Sequence, residues 1–230
     1  MENISTYCSA LPKRSCKRIY TRGSTTSGIY SLDEIGQHYC MMDGDCGQGG
    51  WTLAMKVDGT TNTLVSNSPL WTNGELHRYT DTNLNDGNAK FDAFKSVDFQ
   101  TVCIGMKTKG AAKETIKWLK IPKLSSSLLD VFSSDQSSDT KLSRQAWKDL
   151  VPEISEPLQI NCNRQGFNIK DDRNQFQIRI GILGNNEDDC GSIDSAIGVG
   201  TNSPSYSGSF RRWPKESAYL NPKQVFIFVQ

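Results

Sequence analysis

The sequence predicts an α+β fold: one domain on a central, mostly antiparallel sheet, with few short helices and long ordered loops. Three observations lead there. Apolar residues recur mainly with the period of two expected of strands, in short runs bounded by Gly-, Asn- and Asp-rich turns. Only two segments carry helical spacing. The 230 residues, 36% of them hydrophobic, contain no internal repeat and no low-complexity linker, and a mixed domain of this length commonly holds a single core.

The elements follow in order. Residues 1–27 are poor in apolar side chains and include the basic stretch Lys13-Arg14-Ser15-Cys16-Lys17-Arg18, read as a lead-in tethered at Cys8 or Cys16; a heparin or nucleic-acid patch is the alternative. Gly28-Ile29-Tyr30-Ser31-Leu32 and residues 51–57 alternate apolar with polar or small residues, which opens the fold as a hairpin or meander. Residues 58–97 are polar, with Trp71, Tyr79, Phe91 and Phe94 as anchors for turns and short helices. Residues 99–106 and 115–121 read as strands, the second placing Ile116 and Trp118 on one face and Leu119 and Ile121 on the other. Helices are expected at 124–132 and 143–151, the latter capped by Ser143, buried through Ala146, Trp147 and Leu150, and stopped by Pro152. Strands at 175–182 and 223–229 complete the sheet.

Charge and hydropathy exclude several functions. Twenty-six Lys and Arg against 25 Asp and Glu leave a net charge of +1, without the field of a dedicated nucleic-acid binder. Mean hydropathy is −0.52 and no apolar run approaches twenty residues, so no membrane span is expected. The two histidines, His38 and His77, stand in no zinc-ligand frame. Gly47-Gln48-Gly49-Gly50-Trp51 lacks the Lys-Ser/Thr of a phosphate loop and leads into a strand, so it reads as a tight turn. Asp43-Gly44-Asp45 resembles the start of an EF-hand, but Ala54 occupies the position of the bidentate carboxylate.

One segment carries chemistry. Asn185-Asn186-Glu187-Asp188-Asp189-Cys190-Gly191-Ser192-Ile193-Asp194 concentrates four carboxylates and two amides behind the strongest strand. Calcium accepts such hard oxygens, and Asn186, Glu187, Asp188, Asp189 and Asp194 are its candidate ligands. A solvated acidic turn closed by Asx hydrogen bonds is the alternative. Residues 198–208 then read as a Gly- and Ser-rich surface loop, followed by Phe210-Arg211-Arg212-Trp213-Pro214; Tyr206 and Trp213 are candidate ligand-stacking aromatics. Trp213 tucked into the core is the alternative. Seven cysteines are many for a cytosolic chain, yet the N-terminal residues show no signal-peptide pattern, so either the chain is processed or truncated or the cysteines have another meaning. Asn3-Ile4-Ser5 is the one glycosylation triplet.

Cys16, then Ser27-Gly28-Ile29-Tyr30, Tyr39-Cys40 and Gly49-Gly50-Trp51-Thr52-Leu53 resemble, in order and spacing, the start of a fibrinogen C-terminal-like domain. The second half is similar to the invertebrate intelectin-like branch of that family, through Arg179-Ile180-Gly181-Ile182-Leu183-Gly184-Asn185-Asn186-Glu187-Asp188-Asp189-Cys190 and Asp194-Ser195-Ala196-Ile197-Gly198. The resemblance implies a domain over residues 15–230 behind an extension of residues 1–14, and a secreted, non-enzymatic, disulfide-bonded recognition module. It implies bridges Cys16–Cys40 and Cys46–Cys103. Further cysteines that the branch carries close after Cys162 and Cys190 are missing here, where Lys170, Asp171 and Ile193 stand; a Cys162–Cys190 bridge would repair both losses. Cys8 is left for an interchain bond and a homo-oligomer. The sequence departs from the family in lacking the fibrinogen calcium loop and the histidine-containing sugar motifs of intelectins. A calcium-dependent glycan-binding lectin is the expected function. A structural extracellular-matrix component, mineral-associated or bound to matrix proteins, is the alternative.

Overall fold

The computed structural model describes residues 15–202, 207–212, 215 and 218–230. A short helix α1 (Cys16–Thr21) leads into β1 (Gly28–Leu32), β2 (Gly36–Met41) and β3 (Trp51–Asp58). A largely irregular segment holds β4 (Ala89–Lys90) and α2 (Ala93–Ser96) before β5 (Phe99–Lys107) and β6 (Lys117–Ser125). Helices α3 (Leu128–Ser133) and α4 (Arg144–Lys148) precede β7 (Asn161–Lys170), β8 (Gln177–Asn185) and β9 (Ser195–Thr201). The chain closes with β10 (Ser207–Arg211), β11 (Tyr219–Pro222) and β12 (Gln224–Val229).

The architecture is β-rich with few short helices, and every strand pairing among the described residues is antiparallel. Where the sequence suggested one central sheet, the structure has two. Seven strands form the first, in the order β1-β2-β3-β12-β5-β6 with β4 on β3; five form the second, in the order β11-β10-β9-β8-β7. The main core lies between them, joining Met55, Val57, Ile104 and Ile121 of the first sheet to Ile180, Ile182, Ile197 and Val199 of the second.

The C-terminal run Val225-Phe226-Ile227-Phe228-Val229 explains itself by position. As β12 it lies between β3 and β5, with every residue buried. Val225, Ile227 and Val229 face the main core, whereas Phe226 and Phe228 face a second cluster with Trp51, Leu53 and Cys103. Central strands buried on both faces read as continuous apolar runs. A bulge opposite Ile227 and Phe228 lets β3 change sides at Ala54, so that Trp51 and Leu53 serve one cluster while Met55 and Val57 serve the other.

Several expectations are corrected. The expected helix over 124–132 starts only at Leu128, because β6 runs on to Ser125; Ser127 caps the helix by accepting from the Asp130 N–H at 3.0 Å. The second helix is shorter than its pattern but capped by Ser143 as read. Residues 198–208 are not a surface loop over their length: Gly198, Val199, Gly200 and Thr201 belong to the buried strand β9, and Ser207 and Gly208 begin the buried strand β10. Strand β2 escapes the pattern because it begins with exposed Gly36 and Gln37 and buries His38, and β7 because its first residues are polar and half-buried at the edge of the second sheet. The tight-turn reading of residues 47–51 holds: a Cβ on Gly49 would lie 2.1 Å from the Met42 carbonyl oxygen, a backbone approach only glycine permits.

Three disulfides pin the chain: Cys16–Cys40 ties α1 to β2, Cys46–Cys103 ties the Gly44–Cys46 turn to β5, and Cys162–Cys190 ties β7 to the acidic segment. Cys8 lies outside the described residues.

Burial of Lys90 has a measurable consequence. The side chain is fully buried; its Nζ donates to the Asn73 carbonyl at 2.6 Å and sits 4.5 Å from the centre of the Phe94 ring. Burial, aided by Lys95, pulls its pKa from 10.5 to about 8. Between those pH values the unfolded chain keeps a proton that the folded protein has released, so stability contributed at this site rises with pH. Relative to Lys90→Met, wild type is expected to gain about 1–2 kcal/mol between pH 8 and 10 in urea melts. Equal pH slopes for the two proteins would refute it.

Candidate functional site

The acidic segment leaves the end of β8 and folds back across the outer face of the second sheet. Ile193 anchors it, buried against Leu183, Ala196 and Phe210. The fold-back ends where the Asp172 N–H donates to the Cys190 carbonyl at 2.9 Å, so the 185–194 segment meets the 171–176 turn that starts β8. Sequence order hides this contact, since the two segments lie at opposite ends of one strand.

Asn185 organises the loop from within. It is fully buried, and its Nδ2 donates to the Asp189 carbonyl at 2.9 Å and to Ser192 Oγ at 3.2 Å. The Asp189 carboxylate accepts from the Gly191 N–H and from Ser192 Oγ, each at 2.7 Å. These bonds hold it below the usual carboxylate range. The Asx-type hydrogen bonds of the closed-turn reading are therefore present.

The five candidate ligands are not gathered in one cage. Asn186, Glu187 and Asp188 are exposed at the tip, with Asn186 Nδ2 donating to Glu187 Oε1 at 2.7 Å. Asp189 is occupied inside its turn. Asp194 sits below, its pKa pushed up by burial and then by Glu187, against the pull of Arg212. Among the described residues no group of three or more His, Cys, Asp or Glu converges as metal ligands do. Glu187 and Asp194 are a pair of carboxylates whose charges sense one another.

Beside this pair opens a cleft of about 240 Å³. Asp194, Ser192 and Gly191 form one wall, Arg173 and Phe176 the other, and Asn202 and Arg212 close the ends. Asp171 shapes the second wall by accepting from the N–H groups of Gln175 and Phe176 at 2.7 and 3.0 Å. The cleft is lined by hydrogen-bonding groups, two guanidiniums and the Phe176 ring, a composition suited to holding a polar ligand. Sequence reasoning did not assign Arg173, Asn202 or Arg212 to the site. The only local signal was the polar turn Asp171-Asp172-Arg173-Asn174, which says nothing of where it packs. Tyr206 and Trp213 lie outside the described residues, as does Asn3-Ile4-Ser5.

No protein-family model matches the chain, and no curated protein matches its sequence.

Proposed function

We propose that this protein is a secreted, non-enzymatic recognition module of the fibrinogen C-terminal-like class, binding glycans at the cleft between the 171–176 turn and the acidic segment. The observation that carries this reading is the cleft, a concave polar site staked by the Cys162–Cys190 bridge and the buried Ile193. Three disulfides favour an oxidising compartment. Every described cysteine is bridged and so offers no thiol nucleophile, and His38 sits buried with its Nε2 accepting from the Ala93 N–H at 3.2 Å, its pKa lowered by burial.

In this reading Glu187 and Asp194 hold calcium, which fixes the loop or coordinates vicinal hydroxyls of the sugar. The test is retention on a mixed glycan array. Binding is expected in calcium, with loss of about tenfold or more in chelator or in Asp194→Asn. Asp194→Asn is the informative variant, because Asp189→Ala would also open the Asx turn. Absence of retention on every glycan in calcium would overturn the reading in favour of a matrix component that assembles through its faces and an interchain Cys8 bond.

A further inference from the structure

The face of the seven-stranded sheet turned away from the main core carries two half-buried aromatic rings. Trp118 on β6 and Tyr39 on β2 both make edge contacts with buried Phe228 on β12, at ring-centre distances of 5.8 and 6.3 Å. β6 and β12 are separated by β5, and neighbouring strands lie about 4.8 Å apart. Trp118 can therefore reach Phe228 only by lying across β5. Gly105, its cross-strand partner, makes this possible: a Cβ there would come within 2.4 Å of Trp118 Cζ3. Tyr39, on β2, is likewise separated from β12 by one strand, β3. Both rings are half-buried on this face, and both line the same cavity.

Above these rings runs a continuous groove made of two cavities, of about 330 and 530 Å³, that share Tyr39, Leu84 and Lys113. Small-ligand clefts occupy roughly 300–1,000 Å³. The charges along it are mixed, with one carboxylate in excess. Asp86 is consumed by Lys107 and the Gly110 N–H, at 2.5 and 2.6 Å, Asp43 accepts from Ser27 Oγ at 2.8 Å, and Lys113 and Glu114 stand as one exposed cation and one exposed anion. Asn83 and Asn85 add side-chain amides on the wall that carries Leu84.

We propose that this groove binds a neutral oligosaccharide, whose C–H faces stack on Trp118 and Tyr39 while its hydroxyls bond to Asn83, Asn85 and the Lys113–Glu114 edge. Flat aromatic faces beside amides suit a ligand with one apolar and one hydroxylated side. An acidic chain would meet no net positive charge, a basic chain would meet only the single surplus carboxylate of Asp43, and a purely apolar partner would strand the amides. The site shares a ligand class with the cleft of the acidic segment but needs no cation, so either can fail without the other.

The experiment titrates cellohexaose and maltohexaose into the intact protein in chelator, following tryptophan fluorescence and hydrogen exchange. Saturable binding is expected, with protection confined to residues 39–43, 83–86 and 107–118. Trp118→Ala should weaken it about tenfold or more, Trp118→Phe much less, and Asp194→Asn not at all. Should Trp118→Ala fail to fold, the wild-type protection map together with Tyr39→Ala decides. No binding of either sugar, protection elsewhere, or a concentration-dependent dimer that Trp118→Ala or Tyr39→Ala disperses would overturn the proposal.

Discussion

Replacing Gly198 by alanine is expected to destabilise the protein by about 2–4 kcal/mol, a large share of the stability of an ordinary domain. The reason is a row of four glycines that are cross-strand partners in succession: Gly166 on β7, Gly181 on β8, Gly198 on β9 and Gly208 on β10. A Cβ on Gly198 would lie 2.1 Å from the Ile180 carbonyl oxygen, 2.5 Å from Ile178 Cδ1 and 2.7 Å from the Gly181 Cα. The Ile178 methyl already fills the crease, approaching the Cβ positions of both Gly181 and Gly198. Shortening Ile178 to valine should not rescue Gly198→Ala, because the carbonyl clash is backbone and cannot rotate away. Gly23→Ala is the control: its φ of +99° costs about 1 kcal/mol, but its Cβ meets nothing within 4 Å. Urea melts decide the matter, and a Gly198→Ala midpoint equal to that of Gly23→Ala would refute the packing argument.

Arg179→Leu is expected to cost about 3–5 kcal/mol, although arginine is ordinarily a surface residue. Its side chain is only 6% exposed. Nε donates to the Ser66 carbonyl at 2.6 Å and Nη1 to Asn168 Oδ1 at 2.9 Å, with Asp135 at 3.7 Å as the counter-charge. Asn168 passes the connection on, its Nδ2 donating to the Val131 carbonyl at 2.8 Å, so one guanidinium joins β8 to β7, to α3 and to the segment around Ser66. Leucine would leave two buried acceptors without donors, each a penalty of about 1–3 kcal/mol. Arg179→Lys keeps the charge but cannot reproduce the two-pronged geometry, and should recover less than half of the loss. Both follow from chemical denaturation with binding assays as a fold check; an Arg179→Lys protein as stable as wild type would show that charge alone matters.

How far the sequence could be read divides along one physical line. Strands β1, β3, β5, β6, β8 and β12 were legible because alternating or continuous β-branched and aromatic residues encode burial directly. The β6 faces were right to the residue: Leu119 and Ile121 enter the main core, Ile116 and Trp118 the opposite cluster. Strands β9 and β10 were not legible, because Gly198, Gly200, Ser207 and Gly208 have no apolar side chain to report burial. There glycine permits backbone to approach backbone, which the same letters in an exposed loop would not reveal. Of the candidate site, the acidic segment was found as a chemical concentration. Its cleft was not, since Arg173 and Arg212 join it only when the loop folds back over Ile193.

What the sequence determined by itself was local: β-rich texture, the capped helix after Ser143, the tight Gly49-Gly50 turn and the place where acidic oxygens collect. What only the tertiary structure decided was long-range. It split the strands into two sheets and set the C-terminal strand between β3 and β5. It buried Arg179, which a strand pattern assigns to solvent, and it laid Trp118 across Gly105 to make an aromatic floor. Side-chain periodicity records which residues leave water, but not which partners receive them; those depend on loop closures and backbone approaches between segments far apart in the chain.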